Sequence, residues 1–246
     1  MSSAVTIAAT GLAHALVSDV PGTAPPKGVI FLLSLAGHRR AGALRPVELH
    51  RRTRRAAQRL NQTFRTKNNL AYDPLDIVEF NSLADLLRKK PPAGTLWRRA
   101  IIVTHAGGER PGQTGGSIFL GSYADNFEVD GSGGELLDAI NARMTAVRRF
   151  RAGFAPPTNL TVIGCGVGST GPDVGAYMRE LFGTEGLVTY PLKDVDFAPN
   201  GAMGTPTDPD RRSPLRDLRD DEWGTIPRKD AILNVVDPLP PAAFGE

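Results

Sequence analysis

Cys165 is the sole cysteine of the chain. It stands between Gly164 and Gly166, where the apolar run Leu160-Thr161-Val162-Ile163 stops. Such a run reads as a buried strand, and the flanking glycines let the backbone turn sharply and approach a bound group. Upstream, Ala100-Ile101-Ile102-Val103-Thr104 closes on His105, followed by Ala106, Gly107 and Gly108. A thiol and an imidazole are the two groups that thiol-based acyl transfer needs. The imidazole takes the thiol proton, the thiolate attacks a carbonyl carbon, and the imidazolium protonates the leaving amine. The oxyanion formed on attack would be held by backbone N–H groups of Cys165 itself and of Ala106, Gly107 and Gly166. Each residue also has a plainer reading, since a lone cysteine is more often inert core and a histidine closing an apolar run is commonly a half-buried polar tip. Position favours chemistry: both close strands at the same end, where open α/β sheets build their sites.

The elements that must position this pair can be read in order. Residues 28–35 form a central strand, apolar on both faces as a covered parallel sheet requires. Pro46 opens a helix whose buried stripe is Leu49, Ala56, Leu60 and Phe64. Residues 76–80 are a second strand, and Ser82 caps a helix carrying Leu83, Leu86 and Leu87 that stops at Lys90-Pro91-Pro92. The histidine strand, residues 100–105, comes third. Residues 117–122 read as one arm of a small hairpin, and a single helix then carries Leu136, Ile140, Met144 and Val147. After the cysteine strand, Pro172 starts a helix with Val174, Met178, Leu181 and Phe182 inward, ended by Gly183. Residues 187–190 are a fifth strand and residues 232–236 an edge strand. This alternation predicts an α/β fold, a three-layer α/β/α sandwich with a mostly parallel central sheet. One domain is expected over 1–246, with 1–27 as an N-terminal extension and linker and 191–230 as a long irregular segment.

Composition narrows the function classes. The hydrophobic share of 41% and charged share of 22% are those of an ordinary globular protein. The formal net charge of +3 does not argue for nucleic acid, which is not the expected partner. One cysteine excludes an internal disulfide and a cysteine-rich zinc site, so no metal is expected. A free thiol suits a reducing compartment: the protein reads as cytoplasmic, or as a delivered or secreted effector without a recognisable signal peptide. No apolar run has the length of a membrane span. The helix after Pro46 is basic, with Arg51, Arg52, Arg55 and Arg59 among its arginines. That is either a solvated face or a dock for a polyanion such as an inositol phosphate, since arginine forks suit phosphate oxygens.

The order of the two strand ends resembles the caspase-like (clan CD) cysteine peptidases, which include caspases, gingipains, clostripain and the self-cleaving domains of large bacterial toxins. The likeness is nearest to the toxin autoprocessing domains (peptidase C80-like). There a His-Gly strand end precedes a Leu-Ser-Gly-Tyr-type segment, a helix and an Ile-Val-Gly-Cys-Ser strand end. Here the matching residues are His105, then Phe119-Leu120-Gly121-Ser122-Tyr123-Ala124-Asp125, then Val162-Ile163-Gly164-Cys165-Gly166. The resemblance covers roughly residues 28–191 and implies a caspase-like fold, a polypeptide substrate (self or another protein) and no cofactor for the chemistry itself. It also implies inositol hexakisphosphate as an activator on a basic surface. Ala106 stands where that family has glycine, with Gly107 and Gly108 displaced by one. That departure keeps open a caspase-like binding scaffold with impaired activity. Ile163-Gly164-Cys165-Gly166-Val167-Gly168 also looks like the cofactor loop of S-adenosylmethionine-dependent methyltransferases, although little chain remains after it for the strands such enzymes still need.

Overall fold

The computed structural model describes residues 27–34, 46–67, 75–107, 116–121, 126–129, 134–164, 172–207 and 215–226. Its centre is β1 (Gly28–Leu33), buried along its whole length. Alternation divides this strand between two apolar clusters: Val29, Phe31 and Leu33 belong to one, Ile30 and Leu32 to the other. A strand with both faces apolar demands cover on both sides, and that requirement shapes everything around it.

On one side β1 pairs in parallel with β2 (Asp76–Phe80), and on the other with β3 (Trp97–Val103). Beyond β3 lie β7 (Phe154–Ile163) and β8 (Val188–Pro191), both parallel, and finally β12 (Trp223–Ile226), antiparallel to β8. The sheet order is therefore β12-β8-β7-β3-β1-β2. The chain runs from β1 outward to β2 and then back across to β3, so the strand order reverses between β1 and β3. In open α/β sheets that reversal opens a crevice beyond the carboxyl ends of the strands. The protein is thus mixed α/β with a mostly parallel central sheet.

One face is covered by α2 (Leu83–Leu86), α3 (Gly134–Ala142), α4 (Met144–Arg151) and α5 (Pro172–Phe182), which contribute Leu83, Leu86, Leu136, Ile140, Val147, Phe150, Val174, Met178, Leu181 and Phe182 to the larger cluster. The other face is covered by α1 (Pro46–Lys67) through Ala56 and Ala57. It is also covered by Val195, by Phe197 of β9 (Asp196–Phe197), and by Leu218 and Trp223. Strand β9 pairs with β10 (Met203–Pro206), which pairs with β11 (Leu215–Arg216) in a small antiparallel sheet. A third sheet, β4 (His105–Gly107), β5 (Gly116–Phe119) and β6 (Asn126–Val129), grows from the end of β3.

Several boundaries differ from the sequence-based expectations, each for a physical reason. The helix expected to carry Leu136 through Val147 is two helices, because Arg143 leaves the helical region (φ −118, ψ 24). The single-residue break still leaves Leu136, Ile140 and Val147 buried. The cysteine strand begins at Phe154, ahead of its prolines: Trp97 pairs with Phe154 and Arg99 with Asn159, so the ladder is interrupted where Pro156 and Pro157 have no N–H to give. Residues 191–230, expected to be irregular, contain β9, β10, β11 and the edge strand β12. The expected edge strand at 232–236 lies outside the described residues, as do residues 1–26 of the N-terminal extension. Of the stripe expected on α1, Ala56 is buried and Leu60 half-buried, while the side chains of Leu49 and Phe64 lie outside the described residues.

Candidate active site

Strands β3 and β7 are neighbours, parallel and in register from Ala100 opposite Leu160 to Val103 opposite Ile163. His105 and Cys165 each follow that last pair by two positions in the chain. The backbone of His105 is described, its side chain is not, and Cys165 and Gly166 lie outside the described residues. Gly164, the residue before the cysteine, is buried.

His105 does not prolong β3 as expected. It opens β4 and pairs antiparallel with Phe119, with Ala106 opposite Ile118 and Gly107 opposite Ser117. Thr104 makes the transition. Its N–H donates to the Ile163 carbonyl at 2.9 Å, and its hydroxyl donates to the Phe119 carbonyl. Ala106 lies in extended backbone, a conformation that alanine adopts as readily as glycine. In an antiparallel ladder the N–H groups of successive residues point alternately toward and away from the partner strand. Among the described residues, strand β4 has β5 on one side only. Either Ala106 or its two neighbours His105 and Gly107 therefore turn an N–H outward, which is the kind of donor an oxyanion needs.

The strand ends are set among apolar side chains. Val103 and Ile163 share a cluster with Val195, Leu218 and Trp223, while Ile102 and Val162 share the other with Ile118 and Leu120. Charges brought to such a place interact more strongly than in water.

The four arginines proposed from sequence to bind a polyanion do different work on α1. Arg52 donates from Nε to Glu48 at 3.1 Å and from Nη1 to the Phe197 carbonyl at 3.4 Å. Arg55 donates from Nη1 to the Pro199 carbonyl at 2.7 Å, although its side chain is exposed. These two bind the helix to β9 and the turn after it. Arg59 is half-buried, and its guanidinium only partly offsets the burial that pushes the Asp217 carboxyl up. Arg51 is exposed and has no partner among the described residues.

One charged group was not singled out by sequence. Glu222 is 3% exposed and accepts a fork from Arg216 at 2.7 and 2.6 Å, the Arg219 N–H at 3.0 Å and the Arg219 guanidinium at 3.4 Å. The Arg216 hydrogen bonds, outweighing burial, hold its carboxyl down at about 2. The only sequence signal for it is an acidic residue among arginines in a polar stretch, which many surface loops share. Among the described residues, no group of three His, Cys, Asp or Glu side chains is placed to hold a metal ion. Nor is any helix among them long and apolar enough to cross a membrane.

No family model matches the sequence, and no curated protein matches it.

Proposed function

We propose that the protein is a cysteine endopeptidase in which His105 and Cys165 act as a catalytic pair on a caspase-like, three-layer α/β/α scaffold. The observation that carries this reading is the shared register of β3 and β7, which ends both strands at the same level of the sheet immediately before the two residues. The order of elements supports it too: β3 ends at Val103, two residues before His105, then come the Phe119-Leu120-Gly121 segment at the end of β5, helices and the cysteine strand, followed by a helix and a further parallel strand.

In this mechanism His105 accepts the Cys165 thiol proton. The thiolate attacks the peptide carbonyl carbon and forms a tetrahedral oxyanion held by backbone N–H groups of the 105–107 strand and of Cys165 or Gly166. Collapse breaks the C–N bond, His105 gives its proton to the leaving amine, and a thioester remains. Water, deprotonated by the same imidazole, then hydrolyses it to acid and restored thiol. The chemistry needs no cofactor. A polyanion of the inositol hexakisphosphate type on the α1 arginines is the activator this reading brings with it, and a reducing compartment keeps the thiol free.

A peptide-based, irreversible thiol-directed inhibitor tests the assignment, because Cys165 is the one thiol to label. Rapid labelling of the native protein that is lost in His105→Ala is the expected result. Slow labelling indifferent to His105 would show a scaffold that binds partners without catalysis. Ala106 does not favour that second reading on backbone grounds, since extended chain makes no demand for glycine.

A further inference from the structure

We propose that Thr104 is a positioning residue that fixes His105 relative to the cysteine strand; this rests on the reading of His105 and Cys165 as a catalytic pair. Thr104 is the point at which the chain changes partners. Before it, β3 runs parallel to β7; after it, β4 runs antiparallel to β5. Its two donors go to those two different elements. The backbone N–H reaches the carbonyl of Ile163, two residues ahead of Cys165, and the hydroxyl reaches the carbonyl of Phe119, the residue paired with His105.

Thr104 is 4% exposed, so its hydroxyl is committed to the protein rather than to water. Strand β4 is three residues long and, among the described residues, pairs with β5, so the residue just ahead of it sets its place against β7. Thr104 is that residue, and it bonds both β5 and the cysteine strand. Any shift of the β4–β5 ribbon against β7 must break one of these two bonds. Proton transfer between thiol and imidazole tolerates little displacement, and an error of about 1 Å in a reacting pair costs orders of magnitude in rate. Thr104 therefore acts on the chemistry through His105 and touches no substrate.

The experiment follows the alkylation rate of Cys165 by iodoacetamide against pH in the full chain. Pairing with the imidazole should bring the wild-type midpoint well below that of an ordinary thiol at about 8.5. Thr104→Val keeps the shape and removes the hydroxyl. It is expected to raise the midpoint by about one pH unit or more and to slow labelling at pH 6.5 roughly tenfold. Thr104→Ser, which keeps the donor, should restore the wild-type curve. Adding Thr104→Val to His105→Ala should change nothing further. Ile101→Val, a core truncation on the same strand, serves as the control for lowered stability and should leave the midpoint in place. If Thr104→Val does not fold, Thr104→Ala carries the same comparison against Thr104→Ser. A wild-type midpoint retained by the hydroxyl-free variant, or shifted equally by Ile101→Val, overturns the positioning role while leaving the pair intact. A midpoint that His105→Ala itself does not move overturns the pair instead, and Thr104 with it.

Discussion

A carboxylate withdrawn from water has to be answered by donors, and Glu222 is answered by Arg216 and Arg219 through four hydrogen bonds. Its folded-state carboxyl lies at about 2 against an ordinary 4.5. The stability this contributes is complete above about pH 4.5 and is lost as pH falls toward about 2. Both arginines are partly exposed, which trims the effect, so about 2 kcal/mol is expected at pH 7. Urea unfolding of Glu222→Gln should show a deficit of that order at pH 7, closing between pH 4.5 and 2. A deficit that does not depend on pH would mean the side chain matters by shape and not by charge. The same residue shows what a sequence withholds at this scale. Cys165 and His105 can be proposed from sequence because apolar runs stop just ahead of them. Thr104 and Glu222 cannot, because a polar side chain takes its meaning from its partners. Those of Thr104 are a carbonyl fifteen residues away and another on β7.

Elements announced themselves best at their ends. Ser82 caps α2 by accepting the Asp85 N–H, Pro172 begins α5, and Gly183 leaves it with a φ of 62°. Ser82→Ala should therefore cost about 1 kcal/mol in thermal or urea unfolding, the usual loss of an N-cap. Interruptions inside elements were not legible, because the break at Arg143 preserves the apolar spacing on both sides of it, and the ladder gap at Pro156–Pro157 is followed by an uninterrupted strand. Connections carry a further constraint that spacing does not reveal. Gly186, between α5 and β8, lies so close to the Thr158 carbonyl that a Cβ there would strike backbone, and its own carbonyl accepts from Arg179 Nη2 at 3.1 Å. Gly94, by contrast, has a φ of 75° but open space around it. Gly186→Ala is therefore expected to lose about 3 kcal/mol or more, since backbone must move, whereas Gly94→Ala should lose only about 1 kcal/mol through its dihedral angle. Equal losses at the two sites would contradict the close approach at Gly186.

For the molecule as a whole, the parallel sheet was legible because β1, β3 and β7 are apolar on both faces, and such strands exist only between two covers. Most of the helices of one cover could be read from their periodicity. Of the other cover, α1 could be read in the same way. The part around Val195, Phe197, Met203 and Leu218 could not, because it is built from loops and strands two to four residues long, where no period can develop. Those strands are also what the arginines of α1 reach, and this changes the expectation for a polyanion. Arg52 and Arg55 are each bonded to a carbonyl of that region, and the Arg59 charge favours the ionised Asp217 carboxylate. Only Arg51 is exposed without a partner among the described residues, while Arg55, also exposed, has further N–H groups to offer. A polyphosphate seated there would bridge these two side chains and brace the helix against the β9–β10 turn, so its binding should appear as stability. With inositol hexakisphosphate at about a hundred times its dissociation constant, the gain is about 2.7 kcal/mol. The unfolding midpoint should rise with added ligand, and sulfate at equal ionic strength should not reproduce the rise. Arg51→Glu should weaken the apparent affinity about tenfold without altering the ligand-free midpoint appreciably, as expected for an exposed side chain. High salt should erase the effect, because charges at the surface are screened over roughly 10 Å at 0.1 M. If the midpoint does not move, or moves equally in Arg51→Glu, the basic face of α1 is solvated surface, and its arginines serve the fold through Phe197 and Pro199 alone.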